Sequence, residues 1–163
     1  MSIEVHILGT SSARPTSIRQ VSGNLISCHD GIVVVDAGEG FQTRFFEQRK
    51  RMKQYDKYHL KPSKVSALCL THGHLDHTWG VLPWLQSLAL DNRHQPLLVL
   101  GPTTSQVIDA LLSEQPLPND IHKSDLAIKN RFWHQLGSTS SGLGYTIRWI
   151  LGAVDVGRWV EFL

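Results

Sequence analysis

Apolar and polar residues alternate from Ile3 to Leu8 and then give way to small residues and proline, Gly9 to Thr16. The chain is therefore predicted to open with a strand running into a loop. A second strand is expected from Asn24 to Cys28, a turn at His29-Asp30-Gly31, and a third strand at Ile32 to Val35, whose unbroken apolar run suits a buried strand. These three read as a meander. Asp36-Ala37-Gly38-Glu39-Gly40 stops the third strand, and Phe41 to Lys53 has helical spacing with Phe41, Phe45 and Phe46 on one side. Tyr55 to Ser63 reads as loop.

Val65 to Leu70 is the next predicted strand. Gly80 to Leu90 has the length and composition of a helix, with Pro83 near its start, where a missing N–H costs least. Leu97 to Leu100 is expected to be a strand stopped by Gly101-Pro102, and Thr103 or Thr104 to cap a helix reaching Ser113. Pro116-Leu117-Pro118-Asn119 reads as a turn and Tyr145 to Leu151 as a strand. With no internal repeat and no linker, residues 1–163 are expected to form a single domain of the α/β class.

Composition adds little beyond this. At 163 residues, a chain can bury roughly 70% of its unfolded surface. Hydrophobic content of 41%, charged content of 18%, 13 Gly and 7 Pro describe an ordinary globular protein. No apolar run approaches the ~18 residues of a membrane span, and the N-terminus lacks a basic and then apolar leader, so a soluble, cytoplasmic protein without a membrane partner is expected. Cys28 and Cys69 sit within apolar runs, where small buried thiols are common, and neither a disulfide nor a metal role is expected of them.

Charge is uneven although the net is only +2. Arg44, Arg49, Lys50, Arg51, Lys53, Lys57, Lys61 and Lys64, half of the 16 basic residues, fall between positions 44 and 64 against Glu47 and Asp56. Such a run forms either a phosphate-attracting face or a solvated helix surface.

The chemistry is concentrated in His72-Gly73-His74-Leu75-Asp76-His77, directly after an apolar strand. Residues two apart in an extended loop point the same way, so His72 and His74 can hold one metal ion, while Asp76 and His77, after the chain turns, reach a neighbouring one. Imidazole and carboxylate suit Zn²⁺, with Mn²⁺ or Fe²⁺ as substitutes. Two such ions lower the pKa of bound water and clamp both oxygens of a phosphodiester displacement. Four ligands do not close two zinc shells, since a catalytic zinc ordinarily takes three protein ligands and water.

Thr71-His72-Gly73-His74-Leu75-Asp76-His77 resembles the signature of the metallo-β-lactamase superfamily, and the flanking segments narrow the resemblance to ribonuclease Z. Leu8 to Thr16 is similar to that family's opening loop, Asp36-Ala37-Gly38-Glu39-Gly40-Phe41-Gln42-Thr43 to its Asp-x-Gly-Glu-x-x-Gln motif, Gly80 to Leu85 to the Gly-Leu-Pro run after the histidines, and Gly101-Pro102 to a later turn. The resemblance runs from residue 3 to about 102. It implies the N-terminal half of a metallo-β-lactamase-like αββα sandwich followed by a divergent C-terminal segment. It also implies a zinc-dependent endoribonuclease that processes the 3′ end of tRNA precursors by metal-activated hydroxide attack on a phosphodiester. His72 and His74 would ligate the first zinc, and Asp76 and His77 the second. Asp76 would also accept the proton, and Asp36 would support the site from behind, its alternative being a turn-forming Asp beside two glycines.

The later family ligands do not appear in register. Gly144-Tyr145 is similar to the Gly-Tyr pair that follows a family histidine, yet family spacing lands on Ser138, four residues beyond His134. His134 and Asp155 are the candidates for the remaining ligands, with His122 weaker, and no His follows position 134. Half of the two-sheet sandwich would leave an apolar sheet face for a second copy or another chain to cover. A truncated chain, a short relative needing a partner, and a remnant with a decayed metal site all fit, so the alternatives are a non-catalytic domain binding RNA or a partner and a metal-dependent hydrolase of another phosphodiester or ester. His6, His29, His59 and His94 receive no role. The five tryptophans are read as core or interface anchors, with Trp133 a candidate for base stacking.

Overall fold

A computed structural model of the chain describes residues 2–55, 60–113 and 142–162. Seven strands form one sheet in sequential order: β1 (Glu4–Gly9), β2 (Gly23–Ser27), β3 (Ile32–Ala37), β4 (Val65–Cys69), β5 (Leu97–Thr103), β6 (Ile147–Ala153) and β7 (Arg158–Phe162). The expected meander is present, β1 to β3 being antiparallel, and β3 to β6 run parallel before β7 turns back. Parallel neighbours need crossovers, which here carry α1 (Phe41–Gln54), α2 (Leu75–Thr78), α3 (Val81–Leu90) and α4 (Ser105–Leu112).

Alternation decides which face is buried. Leu25, Val34, Leu68, Leu97, Val99, Trp149 and Leu151 belong to one core with Phe41 and Phe45 of α1, Trp84, Leu85 and Leu88 of α3, and Val107 and Ile108 of α4. Trp84 stands edge-on to Phe41 at 5.1 Å between ring centroids, so the aromatic spacing read in the sequence becomes the joint between α1 and α3. Arg93 is a buried cation whose guanidinium donates to the carbonyls of Pro62, Gln95 and Pro96, stitching the approach to β5 onto the approach to β4.

Among the described residues, the opposite face is apolar and thinly covered. Val5 and Ile7 on β1, Ile26 on β2 and Trp159 on β7 are exposed, and Val33, Val35, Ala67, Cys69, Leu98, Leu100 and Ile150 between them are half-buried. Register places these residues side by side, Val5 against Ile26, Ile26 against Val33, Val33 against Ala67 and Ala67 against Leu98. Among the described residues there is a single sheet with helices packed on one face, one half of the expected two-sheet sandwich.

Several local expectations are corrected. β5 continues through Gly101-Pro102 to Thr103, because β6 keeps pairing with it there whereas β4 has already ended opposite Leu100. Proline's missing N–H is tolerated where one neighbour is gone. α4 starts at Ser105, and Thr104 occupies its N-cap position without a side-chain cap bond. β7 is a strand the sequence pattern does not announce. Cys28 and Cys69 are half-buried rather than buried. The expected turn at 116–119 lies outside the described residues.

Candidate metal centre

The histidine loop leaves the C-terminal end of β4, beside the end of β3, where parallel strands deliver their following loops to one rim of the sheet. Two glycines let the backbones close up. A Cβ on Gly38 would lie 2.0 Å from the Asp76 carbonyl oxygen, and one on Gly80 would lie 2.1 Å from the Gly38 carbonyl oxygen. The Gly80 N–H donates to Ala37 at 2.9 Å, so both ends of the Asp76–Gly80 stretch rest on the 37–38 turn.

Asp36 is the hub of this arrangement. It is only 3% exposed and holds a left-handed φ of 59°, a conformation that Asp tolerates better than most residues. Its carboxylate accepts from the Thr71 N–H (2.8 Å) and hydroxyl (2.9 Å), from the Ser22 hydroxyl (3.1 Å) and from His77 Nδ1 (2.7 Å). Because a carboxylate only accepts, Nδ1 of His77 carries the proton and a neutral ring keeps its lone pair on Nε2. That nitrogen lies 3.6 Å from Asp76 Oδ2.

His72 and His74 form the second pair. Nδ1 of His72 lies 3.0 Å from the Thr71 hydroxyl, leaving Nε2 to face His74 Nδ1 at 3.1 Å. Two imidazole nitrogens on one tetrahedral zinc stand about 3.3 Å apart, so this spacing suits a shared cation. The His72 and His77 rings are 4.0 Å apart at their centroids, which brings the two pairs into one cluster. Burial lowers the pKa of His72, the neighbouring His77 and His74 rings lower it further, and Asp36 and Asp76 oppose them. The net direction favours the neutral ring, the form that ligates.

Imidazole and carboxylate in pairs suit a divalent cation. Among the described residues, no three His, Cys, Asp or Glu side chains converge as a closed ion cage requires. The structure places these residues in a chain of pairwise contacts, His72 beside His74 and His77, and His77 between Asp36 and Asp76. Asp155, a candidate for a late ligand, is put to a different use: its carboxylate accepts from the Ser105 N–H (3.0 Å) and hydroxyl (2.6 Å), capping α4 where Thr104 does not. Those bonds lower its pKa, the Ser105 hydroxyl contributing most. His134, His122 and Trp133 lie outside the described residues.

Two further residues support the site without being evident as functional in the sequence. Thr71 has a signal, its place at the strand end before the first histidine. Ser22 has none, because only the β2–β3 register carries it to Asp36.

The basic run from 44 to 64 does not make one face. Arg44 and Arg51 join Arg19, Gln20 and Gln48 around a cleft of about 280 Å³ between α1 and the loop after β1, where Arg44 donates to Glu47 and to the Ile18 carbonyl. Arg49 and Lys61 line a second hollow of about 210 Å³ with Asp91. Lys57 lies outside the described residues.

Likenesses to known proteins point to one superfamily. The model of the Metallo-beta-lactamase superfamily matches residues 18–152. Ribonuclease Z of Myxococcus xanthus is 29% identical over 126 residues, spanning 74% of this chain and 38% of that protein. Ribonuclease Z of Thermococcus kodakarensis is 33% identical over 112 residues, 68% of this chain and 32% of that protein. The chain therefore spans about a third of these relatives' length. Among solved structures, the short form of human tRNase Z superposes with a TM-score of 0.59 at 20% identity, covering 98% of this chain and 55% of that one. That likeness concerns the fold.

Proposed function

This chain belongs to the metallo-beta-lactamase superfamily, and from that membership we propose that it serves a zinc-dependent endoribonuclease acting at the 3′ end of tRNA precursors. The observation that carries the reading is the Asp36–His77–Asp76 arrangement, in which a buried carboxylate fixes one imidazole so that its free nitrogen faces a second carboxylate. Ribonuclease Z relatives across the histidine loop supply the substrate class.

In this reading His72 and His74 hold one ion, and Asp76 and His77 a second. Bound divalent ions would supply Lewis-acid polarisation of a phosphodiester and an acidified water. The protein's own contributions are specific. Asp36 sets the His77 tautomer, Thr71 and Ser22 hold Asp36, and burial biases His72 towards its neutral form. Asp76, on the first turn of α2, is the acceptor for the proton released during cleavage. Arg19, Arg44 and Arg51 give the substrate's phosphates a place to rest. The open sheet face is covered in the working particle by a second copy or by another chain that completes the sandwich.

A different reading, a non-catalytic domain that keeps the fold, draws support from the absence of a three-donor cage among the described residues. Cleavage of a precursor tRNA in zinc separates the two. Asp76→Ala is expected to abolish cleavage and His94→Ala, at an exposed position remote from the loop in sequence, to leave it unchanged. Full activity in Asp76→Ala contradicts the catalytic reading.

A further inference from the structure

We propose that Trp79 is a stacking platform for an unpaired base of the nucleic-acid substrate; this rests on the endoribonuclease reading and names a base-contacting residue beside the metal loop. The indole is 62% exposed, whereas Trp84 and Trp149 are buried. Trp159 is exposed too, but it lies over Gly152 on the open sheet face, where a covering layer accounts for it. Trp79 belongs to the rim that carries the histidines. Single exposed apolar residues are common on protein surfaces, so what singles out Trp79 is its place: a large flat ring on the segment that carries the histidines, open to a ligand.

Backbone geometry fixes where the ring stands. Trp79 keeps helical dihedrals at the end of α2, with φ −63° and ψ −28°, and its N–H donates to the Leu75 carbonyl at 2.9 Å. Helical spacing of three puts it on the same side of α2 as Asp76. The next N–H, of Gly80, is bonded to Ala37, so the main chain is held on both sides of the indole. Its sequence neighbourhood is polar and titratable, with His74, Asp76 and His77 within five residues. A planar ring that is apolar on its face and polar at its edge matches that setting better than an aliphatic surface does, and a nucleobase next to a scissile phosphodiester is such a ring.

The test compares the full chain with Trp79→Ala and Trp79→Phe by anisotropy of a labelled short oligoadenylate and of a matched abasic oligomer with the same phosphates, in chelator so that nothing is cleaved. The wild-type chain is expected to bind the base-bearing oligomer more tightly. Trp79→Ala should weaken that binding by about 5- to 150-fold and erase the difference between the oligomers, while Trp79→Phe retains most of it. Weaker phosphate binding, or partial misfolding, would affect both oligomers alike and would not move their ratio. If the wild type binds both oligomers equally, or Trp79→Ala keeps the preference, stacking is overturned while RNA binding stands. If neither oligomer binds, stacking and the RNA reading fall together. If Trp79→Ala changes only self-association, the indole is a protein contact and the proposal is wrong.

Discussion

Single side chains in this protein are read best through their partners. The sequence offers Asp36 as either a turn former or a support for a metal site, and the structure shows a left-handed backbone at the end of β3 and a carboxylate with four donors from Ser22, Thr71 and His77. His6, without a role in the sequence reading, has a structural place in the core. The ring is buried between Ser27, 3.1 Å from Nε2, and the Gln48 side chain, 3.1 Å from Nδ1, with the Glu4 carboxylate 3.6 Å away. Burial lowers its pKa below the ordinary 6.5, against a smaller opposing pull from Glu4. The unfolded chain therefore binds a proton at higher pH than the folded one, and stability falls as pH drops below about 6.5 until the folded ring also titrates. Denaturant midpoints measured downward from about pH 8 should show that decline, and His6→Gln should flatten it. An unchanged slope in the variant would assign the decline to other groups, His72 first, whose pKa is also lowered.

Elements show what the sequence makes legible and what it hides. Period-two alternation marks β1, an unbroken apolar run marks β3, the aromatic spacing marks α1, and the apolar run before Thr71 places the histidine loop, because each signal is local. β7 is hidden because its Arg158-Trp159-Val160-Glu161 pattern follows a charged turn and is stabilised by a partner strand, β6, whose pairing no local window reveals. Arg148 and Glu161 pair across those two strands. The α4 cap escapes the sequence for a related reason, since Asp155 arrives from 50 residues away. α1 is legible as a helix but not as a charge surface: its arginines divide between two hollows according to helical angle. If α1 nevertheless guides RNA, reversing Arg49, Lys50, Arg51 and Lys53 together should flatten the log–log salt dependence of binding by about 0.7 to 0.9 for each phosphate that the protein no longer neutralises. A slope that stays put identifies α1 as a solvated face.

At the scale of the whole molecule, the described residues form a sheet with helices on one face and a histidine loop at its rim. The complement is an apolar face from Val5 to Trp159. Contiguous apolar patches beyond a few hundred Å² rarely persist on soluble monomers. Sedimentation of the purified chain, with and without zinc, should therefore show association, and a monodisperse monomer under both conditions would mean that residues of this chain cover the face. Metal binding bears more directly on the central claim, that His72, His74, Asp76 and His77 form a metal-binding half-site braced by Asp36. Zinc content after equilibration at micromolar free zinc, compared with Asp76→Ala, decides it. The wild-type chain is expected to hold one or two zinc ions, fewer in the variant; a wild-type chain that holds none, or a variant that holds as much, contradicts that claim.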